Sequence, residues 1–119
     1  MEEQLLDERA LAALRRMAND SELAELMRVG LQGYEEACTH IEQHDASADT
    51  VVRQAHRVRG SAGTLGLAAI SALAVRLEEA ASQGLPPREL LVQLRAAVQA
   101  TRAELQRRGL LQGGPPPDP

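Results

Sequence analysis

Apolar residues recur at helical spacing through most of this chain, and turn residues divide the pattern into five segments. Within each segment the apolar positions are three, four or seven residues apart, which is the spacing of an amphipathic helix with one buried face. The segments cover about residues 7–18, 19–43, 48–66, 68–82 and 86–109. Five helices are therefore predicted, the first of them short.

The residues at the segment ends support these boundaries. Asp7 is a suitable N-cap for the first helix, because its carboxylate can accept hydrogen bonds from the first turn. Asn19 and Glu22 have the spacing of a capping box at the start of the second helix. Gly66 is a natural stop for the third helix, and the Pro86-Pro87 pair opens the fifth.

Short loops between four long amphipathic helices predict an all-α fold. We expect an antiparallel up-down-up-down four-helix bundle with a short additional N-terminal helix. Composition agrees, since the chain has one Tyr and no Phe or Trp and is rich in good helix formers. The predicted bundle covers residues 1–111, and the Gly- and Pro-rich residues 112–119 are expected to be a disordered tail. Because each apolar stripe is used inside one bundle, a monomer is expected.

Charge and composition exclude several classes of protein. The 119 residues include 13 basic and 17 acidic ones, a net charge of −4, which argues against a nucleic-acid binder. No apolar run approaches the roughly 20 residues that span a membrane, and no basic segment opens a signal peptide. The lone cysteine, Cys38, falls on an apolar stripe and is expected in the core. A cytoplasmic protein is predicted.

The third helix carries the candidate chemistry. On a helical wheel His56 falls just off the apolar stripe, so a half-buried imidazole is predicted. Gly60 and Gly63 lie on the same flank, although glycine inside a helix costs about 1 kcal/mol relative to alanine. Their bare surface would let another protein approach the imidazole closely. Close packing between helices is an equally good explanation for Gly63 and stays open.

Cationic side chains surround this histidine in the sequence. Arg59 lies one turn after His56, and Arg53 and Arg57 add positive charge nearby, although both are expected to belong mainly to a solvated face. A nucleophilic imidazole beside guanidinium groups suits phosphoryl transfer, because guanidinium groups form strong hydrogen bonds with phosphoryl oxygens. We therefore predict a phosphoryl-accepting histidine rather than a structural one.

The segment AHRVRGSAGTLG, residues 55–66, strongly resembles the histidine-containing phosphotransfer (HPt) domain family. The family places a basic residue three positions after its histidine, then a glycine and a small residue, with a later glycine before the next helix. The Leu6-Asp7 and Leu77-Glu78 pairs also look like family features, so the resemblance covers most of the chain.

The resemblance implies a role in a two-component phosphorelay. His56 would accept a phosphoryl group from an aspartyl phosphate on a response-regulator receiver domain and pass it to another receiver. Arg59, in place of the commoner lysine, would shield the phosphoryl charge, and Ser61 would hydrogen-bond nearby. A hybrid sensor histidine kinase is the other implied partner. No cofactor or metal site is implied on this chain, because the Mg²⁺ would belong to the receiver.

The surface that meets the receiver is expected around His56. The helical wheel nominates Val52, Gly60 and Gly63 on the third helix, with Met27 or Leu31 from the second. Many family members have a glutamine on the fourth helix that faces the histidine. The matching position here is Glu78, whose negative charge would repel a phosphate, so the role of that glutamine is not assigned to it.

Two other functions are considered beside a phosphoryl carrier, and one further set of residues has the spacing of metal ligands. A dimerisation and phosphoacceptor domain of a sensor kinase is disfavoured, because an arginine follows His56 and no proline appears before Pro86. A helical adaptor that binds or sequesters a receiver without transfer is the main competitor. Glu36, His40 and His44 have the spacing of metal ligands on one helical face. No further ligand accompanies them, so a structural role is preferred.

Overall fold

The computed structural model describes residues 4–43 and 46–112, and it forms five helices. They are α1 (Glu8–Met17), α2 (Asp20–Gln43), α3 (Ala48–Thr64), α4 (Ala68–Ser82) and α5 (Arg88–Arg107). These two ranges contain no strand, so the all-α prediction is confirmed. Residues 113–119 of the predicted tail lie outside the described residues.

The four longer helices form the predicted bundle. Helix α2 packs against α3, α3 against α4, α4 against α5, and α5 closes the ring against α2. Helix α1 packs against α2. The segment before α1 binds the loop that follows α3, through hydrogen bonds from Asp7 N–H to the Gly66 carbonyl at 2.8 Å and from Ala69 N–H to the Leu5 carbonyl at 3.3 Å. This arrangement places α1 at the end of the bundle where α3 finishes.

The helix starts follow the predicted caps closely. The Asp7 carboxylate accepts hydrogen bonds from the first turn of α1. The capping box is confirmed, because the Asn19 side chain accepts from Glu22 N–H at 2.8 Å and the Glu22 side chain accepts from Asn19 N–H at 3.0 Å. Helix α5 begins at Arg88 rather than in the proline pair, with Pro87 in the N-cap position.

The turn after α3 depends on glycine. Gly66 has φ +75°, a left-handed conformation that is unfavourable for residues with a Cβ. This turn lets Leu67 N–H reach back to the Ala62 carbonyl at 2.8 Å. A Cβ at Gly66 would lie only 3.1 Å from the Asp7 carbonyl oxygen. The α3–α4 turn and the start of α1 are therefore packed against each other with no room for a side chain.

The interior is filled mainly by leucine, valine and alanine from all five helices. Its fully buried larger side chains are Leu23, Met27, Leu31, Leu67, Ile70, Leu77, Leu94, Leu105, Val98, Thr101 and Cys38. Met27 and Leu31 are 0% exposed, so the prediction that they contact a partner is wrong. The apolar stripe of α2 faces the other helices, and a residue in its centre is covered by the bundle itself.

Hydrogen bonds bring the two ends of the described chain together. The Arg108 guanidinium donates two hydrogen bonds to the Glu8 carboxylate at 2.8 and 2.9 Å. Arg28 on α2 donates to the Leu111 carbonyl at 2.7 Å. No helix in the described ranges combines the length and the apolar character that a membrane crossing needs.

Candidate functional site

His56 lies near the middle of α3 with its side chain 61% exposed. It follows Ala55, which is buried, and precedes the buried Val58 and Ala62 on the inner face of α3. The imidazole is more open to solvent than the half-buried position predicted from the wheel. An exposed ring is accessible to another protein.

The side chains of Glu78 and Arg59 both contact the imidazole. His56 Nδ1 lies 3.2 Å from Glu78 Oε2 and 3.0 Å from a terminal nitrogen of Arg59. The other terminal nitrogen of Arg59 lies 3.4 Å from Glu78 Oε1, close enough for an ion pair but without hydrogen-bond geometry. Helix α4 brings Glu78 to the site because Leu77 and Ala81 anchor that helix in the core. Histidine, carboxylate and guanidinium form one cluster.

The burial of Glu78 indicates which ring nitrogen carries the proton. Its side chain is only 18% exposed, against 40% for Arg59, and its buried Oε1 makes no hydrogen bond with any residue that the structure describes. If Nδ1 were unprotonated, Oε2 would face a lone pair and the carboxylate would accept nothing from the ring. A buried acceptor without a partner costs about 1–3 kcal/mol, whereas the more exposed Arg59 reaches water. The favoured tautomer therefore has Nδ1–H donating to Glu78, which leaves the Nε2 lone pair available as a nucleophile.

The two glycines of α3 flank the imidazole on its C-terminal side. A Cβ built on Gly60 meets no atom of the described residues within 4 Å, so this position is open. A Cβ on Gly63 would lie 3.6 Å from Ser71 Oγ on α4, which is ordinary van der Waals contact. Packing against α4 therefore does not require a glycine at position 63, and the close-packing explanation is not supported. Close packing does occur at Gly30, where a Cβ would lie 2.9 Å from Leu65 Cδ1.

Comparison with protein families decides what kind of domain this is. The sequence model of the Hpt domain family matches residues 1–104, nearly the whole chain. The chain belongs to the Hpt domain family. The predicted resemblance is confirmed, and the protein is a histidine phosphotransfer protein of the kind that works in phosphorelays.

A solved structure shows the same fold. The crystal structure of histidine-containing phosphotransfer protein B (HptB) from Pseudomonas aeruginosa PAO1 matches with a TM-score of 0.78. The match covers 90% of this chain and 96% of the HptB chain at 22% sequence identity. No match was found among curated protein sequences.

The structure does not bring every predicted residue of this Hpt domain to the histidine. Ser61 lies on the opposite flank of α3, where its hydroxyl pairs with the Tyr34 hydroxyl of α2 at 2.7 Å. Burial raises the pKa of Tyr34, so this phenol stays neutral and holds α2 to α3. Val52 lies one turn before His56 and is partly buried against the core. Gly60 and Arg59 are therefore the predicted neighbours that remain beside the imidazole.

An apolar strip that sequence analysis missed lies next to Gly60. Leu26 and Val29 on α2 are 46% and 59% exposed, and with Gly60 they border a shallow depression of about 480 Å³ between α2 and α3. We call Leu26, Val29 and the surface at Gly60 the apolar strip. Its signal was present in the sequence, because Leu26 and Val29 are apolar residues outside the buried stripe of α2. An exposed apolar patch is typical of a protein-binding surface.

The remaining candidates have structural roles or lack support. Cys38 is completely buried as predicted, and burial raises the pKa of its thiol to about 11. Glu36 and His40 border a groove between α2 and α3, whereas His44 lies outside the described residues. Within the described ranges, no three potential metal ligands cluster.

Proposed function

We propose that this Hpt domain carries a phosphoryl group on Nε2 of His56 between the aspartates of two response-regulator receiver domains. The observation that carries the proposal is the cluster at the imidazole, in which Glu78 and Arg59 both contact Nδ1 of a ring whose side chain is 61% exposed. When Nδ1–H is donated to Glu78, Nε2 keeps its lone pair. That lone pair attacks the phosphorus of an aspartyl phosphate. The N–P bond forms as the P–O bond breaks, and the electron pair leaves with the aspartate carboxylate.

Arg59 supplies positive charge for the transferred group. Its guanidinium already lies 3.0 Å from the ring, and its contact with Glu78 is a 3.4 Å ion pair without hydrogen-bond geometry. When the Arg59 guanidinium turns toward the phosphoryl oxygens, it exchanges these contacts for strong charge-assisted hydrogen bonds. The Mg²⁺ required for the reaction is assigned to the receiver.

The apolar strip is the proposed docking surface for the receiver. It adjoins Gly60, and the glycine leaves a clear path from the strip to the imidazole. A partner that covers Leu26 and Val29 therefore comes within reach of Nε2. Gly63 lies on the α4 side of α3, where a Cβ would contact Ser71 Oγ, and Val52 is partly buried against the core, so the docking surface is centred on the apolar strip. The proposed partners are receiver domains and a hybrid sensor kinase that contains one.

Transfer of labelled phosphate tests the proposal directly. A panel of phosphorylated receiver domains is incubated with the wild type and with His56→Gln. We expect acid-labile, base-stable label on the wild type alone, while circular dichroism shows both proteins folded. Binding to a receiver without any label would instead support the sequestering adaptor. Leu26→Asp should weaken receiver binding, whereas the same charge at the exposed Leu85, on the α4–α5 loop, should not.

A further inference from the structure

Two arginines beside His56 lack an ionic partner in the described part of the chain. Arg53 lies one turn before His56 and Arg57 follows it directly, and both side chains are exposed. The Arg53 guanidinium donates a 3.5 Å hydrogen bond to the Thr50 hydroxyl, and neither arginine pairs with a carboxylate of residues 4–43 or 46–112. Around the helix axis both lie within about 100° of His56, so their charges face solvent near the imidazole. We call Arg53 and Arg57 the cationic patch.

The cationic patch does not stabilise α3. Its two arginines are four residues apart, and like charges at this spacing repel each other on a helix surface. Asp49 lies one turn before Arg53, a favourable spacing for an ion pair, but it forms none with that arginine. Several arginines elsewhere in the bundle are paired, as Arg95 is with Glu42. The stability of the helix therefore does not account for two unpaired cations beside the imidazole, and a partner outside the chain can supply the missing negative charge.

The cationic patch adjoins the proposed docking surface. Arg57 precedes Gly60 by three residues and Arg53 precedes it by seven, so all three lie on one outward-facing side of α3. Gly60 also borders the apolar strip. Residues three or four positions apart on a helix have Cβ atoms about 5–6 Å apart, a distance that an arginine side chain spans. A partner that covers the strip and reaches Nε2 of His56 therefore passes over the patch.

The chemistry of the proposed reaction makes the approaching face of the receiver acidic. The receiver presents the aspartate that carries or accepts the phosphoryl group, and it binds Mg²⁺ beside that aspartate. Mg²⁺ takes oxygen ligands and is commonly held by one or two carboxylates. An aspartyl phosphate adds about two further negative charges to the same face. A cluster of carboxylates is therefore the charge complement of the patch.

We propose that Arg53 and Arg57 attract receiver domains through the carboxylates of the receiver's Mg²⁺ site, and so set the rate at which a receiver associates with His56. The proposal rests on the proposed function of His56. The two arginines act before the phosphoryl group moves, because their field draws the acidic face toward the imidazole while Arg59 remains in contact with the ring. Receivers with a less acidic face associate more slowly, so the patch also selects among receivers.

Association kinetics test the patch, with His56→Gln as the parent protein so that no transfer occurs. Adding Arg53→Gln and Arg57→Gln to this parent should slow association with unphosphorylated receiver domains by about tenfold in about 0.01 M salt. In about 1 M salt, where the screening length is about 3 Å, the two association rates should agree within about twofold. Dissociation rates should change little, since exposed charges at an interface act mainly on association. Equal association rates at low salt would overturn the proposal.

Arg88→Gln provides a matched control. Arg88 is exposed and has no ion pair within the described residues, but it begins α5, which packs against α2 and α4. Replacing Arg88 removes the same charge from the protein as replacing Arg57. Arg57→Gln alone should slow association at low salt by about threefold, whereas Arg88→Gln should match the parent. Equal slowing by both variants would show that net charge is responsible and would refute a local patch.

Mg²⁺ identifies which charges of the receiver meet the patch. At constant ionic strength, adding Mg²⁺ partly neutralises the carboxylates that bind it. The rate advantage of the parent over the variant that lacks both arginines should then shrink by about half or more. An advantage that Mg²⁺ leaves unchanged would place the complementary charge elsewhere on the receiver and would overturn the proposal.

The transfer step is measured separately. With saturating receiver, wild type and Arg53→Gln/Arg57→Gln should accept the phosphoryl group at the same rate, and only the half-saturating concentration should rise. A lower saturating rate would overturn a role confined to association. If no receiver labels the wild type, the proposed function fails, yet the binding kinetics of the His56→Gln parent still decide the role of the patch, so the two failures are distinguishable.

Discussion

Replacing Gly60 with glutamine separates the stability of α3 from its function. Gly60 follows His56 by one turn on the same flank, and a Cβ there meets no atom within 4 Å. The backbone of this helix interior needs no positive φ, so a side chain is accepted without strain. The glutamine side chain would project beside the imidazole, across the path from the apolar strip.

Gly60→Gln should raise the stability of the protein and lower its rate of phosphoryl transfer. Exchanging glycine for a good helix former in an exposed helix interior stabilises a protein by about 0.5–1 kcal/mol. For a domain of this size, that corresponds to a rise in Tm of about 2–4 °C. Transfer should fall by about a hundredfold, because displacement of reacting groups by about 1 Å is enough to cause such a loss.

Gly33 on α2 offers a matched control. It is also exposed inside a helix, and a Cβ there likewise meets nothing within 4 Å. Thermal denaturation of Gly60→Gln and Gly33→Gln should show similar stabilisation, whereas only Gly60→Gln should lose phosphoryl transfer. Equal transfer by both variants would refute the argument that the bare surface at Gly60 admits the partner.

Three further predictions concern stability and one concerns the thiol. Gly66→Ala should lower the free energy of unfolding, measured by urea denaturation, by about 1–3 kcal/mol. The reason is that Gly66 has φ +75° and that the Asp7 carbonyl oxygen would lie 3.1 Å from the new Cβ. An unchanged denaturation midpoint would contradict this. Thr101→Val should leave the free energy of unfolding unchanged or raise it by about 1 kcal/mol, since the buried Thr101 hydroxyl has no hydrogen-bond partner among the described residues. A large loss of stability would mean that the hydroxyl is satisfied. Hydrogen bonds from Arg107 and Arg108 lower the pKa of Glu104 to about 2, so its contribution to stability is present above the ordinary carboxyl pKa and is lost as the pH falls toward 2. Denaturation at a series of acidic pH values should therefore show a shallower decline for Glu104→Gln, and parallel declines would contradict the assignment. Because burial raises the pKa of Cys38 to about 11, a thiol reagent near about pH 8 should react only as fast as the protein opens; rapid reaction of the folded protein would show that the thiol is accessible.

Local sequence rules predicted the helices well because their causes are local. The capping box of Asn19 and Glu22 involves atoms only three residues apart, and the glycine stop of α3 is set by one backbone conformation. The position of His56 beside Gly60 also follows from helical geometry alone. In each case the deciding contacts lie within one helix or at its ends.

The partners of the site residues depend on other helices, and sequence analysis failed there. A helical wheel gives the direction of a side chain around the axis of its own helix. It does not show which neighbouring helix covers that side chain. Met27 and Leu31 were therefore assigned to a surface although the bundle buries them, and Ser61 was assigned to the phosphoryl group although Tyr34 binds it. The contact between Glu78 and His56 joins residues 22 apart and required the packing of α4 on α3.

The pairing of Glu8 with Arg108 makes the chain suitable for circular permutation. These residues are 100 positions apart in sequence, yet their side chains are in direct contact at the end of the bundle where α3 finishes. A short linker can join the segments that begin at Glu8 and finish at Arg108, and new ends can be opened at Gly84, in the exposed loop between α4 and α5. Such a protein would keep α3 and α4 adjacent in sequence, and with them the imidazole and its carboxylate.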